Sequence, residues 1–362
     1  MSYFEIEAGR RAYGIVREEG LRAERIRVIL GAAGGPKWLV LYHLDRWISS
    51  ELLPGVRHPV HFFGSSIGAW RLAAMTCKEP SRAIDNLFES YMNQRYSSKP
   101  SPREVTQVAR TILRSFMPEG TEEEVLGHPF IRLNIATVRM KIGASENRLP
   151  LLLSTFLMYT ANRLSRSYLR FFMDRVYFSD PRDRPPLEGT TDHIPIRLVE
   201  LTPGNLPDAL MASASIPLVM EGVRSIPGAP PGTYRDGGLI DYHILPPLRL
   251  KDGELALFPH YSGTVTPGWF DKTLRHRSPD PRTLENIVLV RPSNTFFSML
   301  PDRKIPDRQD FYTFSNNPLE RKRRWKKAVE LGRRMAEEFA EAVSSGKIRD
   351  MVRLYGLKEG SR

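Results

Sequence analysis

The stretch His61-Phe62-Phe63-Gly64-Ser65-Ser66-Ile67-Gly68-Ala69-Trp70 constrains this chain more than any other. An apolar strand runs into a Gly-x-Ser-x-Gly turn and then into a helix. Such a bend lifts one serine hydroxyl clear of its surroundings. Glycines two before and two after Ser66 let the chain turn without side chains colliding. The amino end of the following helix turns its unpaired amides, and the positive end of its dipole, toward that hydroxyl. Gly and Ser are common, and the same five residues also describe an ordinary turn. The rest of the chain decides between the two.

Ahead of this bend, Arg25 to Leu30 reads as a strand, followed by Gly31-Ala32-Ala33-Gly34-Gly35-Pro36-Lys37 and a helical segment from Trp38 to Ser50. Pro36 suits a first helical turn, where its missing N–H is not needed. A second strand over Pro59 to Phe63 delivers the bend. This β-turn-α-β-turn-α order opens a parallel α/β sheet. Residues 1–24 read as an N-terminal arm with a helical charge pattern around Arg17 to Glu24. A polar helical region spans 81–117, broken at Pro100-Ser101-Pro102. Pro129 to Val138 alternates as a strand, and 149–172 is the most lipophilic helix. Its first reading is a core helix with a basic exposed end carrying Arg163, Arg166 and Arg170. The alternative is a lid or interfacial helix, and Leu149 to Ala161 is the expected lining for an apolar ligand.

Further strands are expected over 176–180, 194–201, 255–258 and 286–290, with a helix from Leu206 to Ser215 that Pro217 stops. Pro292 to Tyr312 reads as irregular. Asn317-Pro318-Leu319-Glu320 supplies an N-cap, a proline and a carboxylate at the start of a last helix. Its apolar positions from Trp325 to Val343 fall on one face.

Composition narrows the class. The 362 residues are 41% hydrophobic and 26% charged, as in a globular protein, with length for two domains or one large α/β domain. The single cysteine, Cys77, excludes an internal disulfide and reads as a small buried apolar residue. The N-terminus shows no basic-then-apolar signal pattern, and no apolar run is long enough for a membrane span. A cytoplasmic protein, peripheral to the membrane at most, is expected. The net charge of +12 is in part carried by Arg321-Lys322-Arg323-Arg324-Trp325-Lys326-Lys327. On an amphipathic helix this run reads first as a solvated face, second as contact with an anionic membrane, and last as nucleic-acid binding.

A serine used for acyl transfer needs a base and an oxyanion hole. Gly34 and Gly35, directly after a strand, suit an oxyanion hole built from backbone amides, and Lys37 adds positive charge beside it. The same turn also suits phosphate, although no Gly-x-x-x-x-Gly-Lys-Ser/Thr nucleotide loop is present. Downstream lie Ala212-Ser213-Ala214-Ser215-Ile216-Pro217 and Asp236-Gly237-Gly238. A Ser-Asp-His order using His243, His260 or His276 is also open. No metal-binding motif appears, so neither metal nor cofactor is expected.

The four segments, in this order over residues 25 to 245, resemble the patatin-like phospholipases. The resemblance implies an α/β fold, three-layer α/β/α with a central mostly parallel sheet and helical insertions near 81–117 and 149–172. The hydrolase domain would run over 25–312, with 313–362 as a C-terminal amphipathic helix and tail. It further implies a catalytic dyad without histidine: Ser66 as nucleophile, Asp236 as general base, Gly34 and Gly35 as oxyanion donors. The family's Asp-Gly-Gly-Gly-x-Arg/Lys-Gly turn is altered here, with Ala32, Ala33 and Trp38 in place of the Asp, the first Gly and the last Gly. The implied activity is a lipid acyl hydrolase acting on phospholipid or other acyl-ester lipid through an acyl-serine intermediate. A catalytically quiet lipid-binding or membrane-adaptor protein on the same fold is the alternative.

Overall fold

The computed structural model describes residues 2–190, 192–274 and 276–356. Among these residues eleven strands form one sheet: β1 (Phe4–Ala8), β2 (Ile26–Gly31), β3 (Val60–Ser65), β4 (Ile131–Met140), β5 (Met173–Ser179), β6 (Ile196–Glu200), β7 (Val223–Arg224), β8 (Thr233–Asp236), β9 (Leu255–Pro259), β10 (Ile287–Pro292) and β11 (Arg353–Leu354). The main path runs β11-β1-β10-β9-β2-β3-β4-β5-β6. The centre, β10-β9-β2-β3-β4, is parallel throughout. Its strands read as nearly unbroken apolar runs because both faces are covered, and every residue of β3 is buried.

The helices α1 (Arg10–Glu19), α2 (Tyr42–Trp47), α3 (Ile67–Thr76), α4 (Pro80–Asn93), α5 (Pro102–Phe116), α6 (Glu122–Leu126) and α7 (Arg148–Leu164) belong to the first half. The second half supplies α8 (Leu206–Ala214), α9 (Pro281–Leu284), α10 (Asn294–Ser298), α11 (Gln309–Thr313), α12 (Pro318–Ser344) and α13 (Ile348–Met351). This is the expected α/β arrangement, a central mostly parallel sheet flanked by helices. Residues 4–8, read as part of an arm, instead pair antiparallel with β10, because their alternating pattern buries Phe4, Ile6 and Ala8. Pro292 to Tyr312, expected irregular, contains α10 and all but the last residue of α11. Ser293 caps the first by accepting from the Phe296 amide.

α12 begins as its N-terminal residues predict, with Asn317 accepting from the Glu320 amide. Trp325, Leu331, Met335 and Phe339 are buried in the same apolar core as Phe4 and the central strands. The tail beyond 356 lies outside the described residues. Cys77 is buried as expected, and burial pushes its thiol up to about 12.

One strand positions the site. β4 is longer than β3, which lies along it only as far as Ser65 opposite Ala136. From Thr137 onward the vacated edge of β4 is taken by β8, running antiparallel, with Asp236 opposite Thr137. Two segments far apart in sequence therefore end one residue apart on a common rail.

Candidate active site

The bend at Ser66 forms as the sequence predicts, but the strain sits on the serine. Ser66 has φ 55° and ψ −128°, a region that non-glycine residues rarely occupy. Its glycines serve close packing: a Cβ on Gly68 would lie 2.0 Å from the Gly31 carbonyl oxygen, so α3 can press against the end of β2 only without one. A buried bidentate ion pair, Arg71 to Asp45, ties α3 to α2 beneath the bend.

Ser66 Oγ donates to Asp236 Oδ2 at 2.8 Å, and both residues are buried. The other carboxylate oxygen of Asp236 accepts from the Gly238 amide at 2.7 Å, and the Asp236 amide donates to the Ser215 carbonyl at 3.0 Å. Gly237 must be small, because a Cβ there would meet the Ala136 carbonyl oxygen at 2.2 Å. Burial raises the Asp236 carboxyl above its ordinary value, while the hydrogen bonds from Ser66 and Gly238 pull it part of the way back.

Ser213, to which the sequence reading gave no catalytic role, completes the junction. Its hydroxyl accepts from the Ser66 amide at 2.8 Å and donates to the Ala136 carbonyl at 2.7 Å. It thus fixes the end of β3, the middle of β4 and the end of α8 to one another. Only its place in the Ala-Ser-x-Ser-x-Pro segment signalled it.

Gly34 and Gly35 form the tight turn between β2 and the next helical segment, at φ 154° and φ 57°. Both values favour glycine. The amides at the start of a helical segment have no partner within it, and Gly35 borders the same cleft as Ser66. Tyr261 braces the turn from behind: its hydroxyl donates to the Ala33 carbonyl and would collide at 2.5 Å with any Cβ on Gly34. Trp38 is fully buried, its ring edge-on to Tyr91 at 5.7 Å between centroids, so it stands behind the cleft wall. Lys37 does not line the cleft; its ammonium lies 5.2 Å from the centre of the Tyr261 ring.

The cleft at Ser66 encloses about 310 Å³. Its apolar wall includes Ile67, Trp70, Ile112, Val219, Met220 and Phe311, contributed by α3, α5, the segment after α8, and α11. No residue from Leu149 to Ala161 is among them, which corrects the expectation that this helix lines the ligand path: α7 packs on the far side of the Asp236 turn, around Leu239, Ile240 and Phe270. Arg308 and Arg321, which sequence reasoning missed as site residues, also line the cleft. Neither forms an ion pair with a carboxylate among the described residues. Arg321 is 4% exposed, donates to the Gln94 carbonyl, and keeps a buried Nε without a partner. Arg308 comes from a loop with no distinguishing sequence pattern, so only the fold shows its position.

The late histidines stand apart from Ser66. His243 Nδ1 accepts from the Thr266 amide at 2.9 Å, and its Nε2 faces the Tyr261 hydroxyl at 3.0 Å. His260 Nδ1 faces the Ser262 carbonyl at 2.6 Å, and His276 is exposed. Among the described residues no group of three or more His, Cys, Asp or Glu side chains is arranged to hold a metal ion.

Comparisons with known proteins bear on the family. A search of curated proteins finds no match. Among solved structures, human GIVD cytosolic phospholipase A2 aligns with a TM-score of 0.36 and 11% identity over 94% of this chain and 63% of that one. This chain therefore spans less than two thirds of the human protein. VipD from Legionella pneumophila aligns with a TM-score of 0.36 and 10% identity over 93% of this chain and 70% of that one. The family model described as patatin-like phospholipase matches residues 39–248, more than half of the chain and a span that includes both Ser66 and Asp236. The chain belongs to the patatin-like phospholipase family.

Proposed function

We propose that this protein is a lipid acyl hydrolase, a serine carboxylic-ester hydrolase that works through a Ser66–Asp236 dyad. The observation that carries the reading is the 2.8 Å hydrogen bond from Ser66 Oγ to Asp236 at the floor of an apolar cleft. A free aspartate, at about 3.9, is a weak base toward a hydroxyl. Burial strengthens Asp236, and the preformed hydrogen bond removes the search for geometry.

In this reading Asp236 takes the hydroxyl proton as Ser66 Oγ attacks the ester carbonyl. The oxyanion that forms is met by the amides of Gly34 and Gly35 and by the amino end of α3. Collapse breaks the bond to the alcohol, which leaves with the proton held by Asp236. A water then gives its proton to Asp236 and attacks the acyl-serine. Release of the carboxylic acid returns the serine proton to Ser66. No step calls for a metal or cofactor.

The cleft supports a choice of substrate class. Its apolar wall suits an acyl chain, and the unpaired guanidiniums of Arg308 and Arg321 suit an anionic head group, supporting a phospholipid or lysophospholipid over a neutral acylglycerol. A cytoplasmic protein working peripherally at an anionic membrane, with residues 25–312 as the hydrolase unit, completes the reading. A fluorophosphonate probe tests it: Ser66-dependent labelling is expected. No labelling under permissive detergent conditions would favour a quiet lipid-binding protein.

A further inference from the structure

α7 is turned inside out. Its buried positions are Leu151, Ser154, Met158 and Asn162, so two of the four are polar. Ser154 satisfies itself on the Leu151 carbonyl, and Asn162 donates to Asp271 at 2.7 Å. The side chains facing outward are Leu149, Leu152, Leu153, Phe156 and Leu157, each between 43% and 67% exposed, and Phe171 in the turn after the helix adds 56%. Isolated exposed apolar residues are ordinary, but a contiguous helical face of this kind marks an interaction surface.

The charge around this face has one sign. Arg148, Arg163 and Arg170 are exposed and form no ion pair with a carboxylate among the described residues, and Arg170 lies over the Phe171 ring at 5.0 Å. The one acid between Lys141 and Phe172 is Glu146, which is engaged by the buried Arg235 at 2.9 Å. At 17 residues α7 is short for a span, and no helix among the described residues is long and apolar enough to cross a membrane. An apolar helical face flanked by unpaired arginines is the composition of a helix lying in a lipid interface.

The surface is also placed for use. β4 runs parallel to β3, so the chain leaves it toward α7 at the same edge of the sheet that carries Ser66. Glu146, in the loop that starts α7, accepts from the Gly222 amide at 3.1 Å, two residues from Met220 in the cleft wall.

We propose that the outward face of α7, with the turn over Arg166–Phe171, docks the protein onto an anionic lipid bilayer and holds the cleft mouth at that interface. The purpose given to the docking rests on the hydrolase reading; the docking does not. Co-sedimentation of the full chain with phosphatidylcholine vesicles, with or without phosphatidylglycerol, tests it. Binding to the mixed vesicles is expected to be about tenfold or more tighter, and to weaken with salt. The double substitution Leu153→Asp/Phe156→Asp should abolish binding to both vesicles. Arg148→Gln/Arg163→Gln/Arg170→Gln should remove the preference for the anionic ones.

Both variants should keep the wild-type melting temperature and the wild-type rate on a water-soluble short-chain ester. The proposal fails if the wild-type chain does not pellet with mixed vesicles, or if the aspartate variant pellets as the wild type does. It fails also if the wild type ignores vesicles but sediments as a dimer that the aspartates dissociate, which would make the face a protein interface. Vesicle binding without hydrolysis of any ester would remove the hydrolase reading and leave the docking standing.

Discussion

Two buried polar constellations lie on either side of the glycine turn, and they differ in what their hydrogen bonds leave free. At Ser66–Asp236 the hydroxyl proton is held by a single carboxylate, on a strained residue, at the floor of an open cleft. In the cluster of His243, His260 and Tyr261 the backbone takes one nitrogen of each imidazole and the tyrosine proton, while His260 Nε2 is buried without a partner. Thr266 occupies His243 Nδ1, Ala33 takes the Tyr261 proton, and Ser262 faces His260. Burial holds His243 well below the ordinary imidazole range and His260 down to about 3, so both are neutral near pH 7. A histidine close to a serine in sequence order is therefore no base unless its nitrogen is free and faces the hydroxyl. Here the imidazoles brace the turn and the carboxylate faces the serine.

The sharpest way to break this division is to exchange atoms at the dyad. Ser66→Ala should remove ester hydrolysis to background. Asp236→Asn should lower kcat by about 10²–10⁴-fold. Neither should unfold the chain. A carboxyl raised above its unfolded value binds more protons when folded, so its ionisation weakens the fold as pH rises through that window. At neutral pH Asp236→Asn is expected to melt at or above the wild-type temperature. Activity lost together with stability would mean that Asp236 is structural only.

The pH profile gives a second test. If Asp236 is the base, kcat/KM should rise with pH along a limb whose midpoint lies above the ordinary carboxylate value of about 3.9. It should do so with the same midpoint in His243→Gln. A limb that vanished with the histidine would move the base to the other cluster.

Tyr261→Phe should act through position alone. It leaves the buried Ala33 carbonyl without its side-chain donor, a loss of about 1–3 kcal/mol in stability by thermal or denaturant melt. Turnover should fall by less than about tenfold, from a looser glycine turn. The smallest change is expected from His260→Gln, read in stability rather than rate. A histidine depressed to about 3 contributes stability that is present above its unfolded value and is lost as pH falls through the folded one. The variant's melting temperature should accordingly fall less than the wild type's between neutral pH and pH 4, with activity at neutral pH near normal.

Much of the site was legible as local chemistry. The bend at Ser66, the glycine pair and the Asp-Gly-Gly turn each carry their geometry in a few adjacent residues, because tight turns and strand-to-helix bends are decided by backbone sterics. The two amphipathic helices show where such reading ends. α12 buries the face its periodicity marks. Its basic run is largely engaged, with Arg323 and Arg324 on Glu320 and Arg321 turned into the cleft wall. α7 has a more lipophilic sequence yet presents much of that lipophilicity outward. Which face a helix buries depends on the neighbours it meets, and Asp271 gives Asn162 a buried partner that periodicity cannot foresee.

By itself the sequence determined the chemical parts: a serine on a forced bend, glycines where amides must be bare, an aspartate in a turn, and apolar runs for a parallel sheet. Only the tertiary structure decided how they meet. β4 outruns β3 and lends its free edge to β8, so that residues 66 and 236 come within a hydrogen bond, with Ser213 pinning the joint. Strand length and pairing register are properties of the whole sheet, set by long-range burial. No window along the chain contains them.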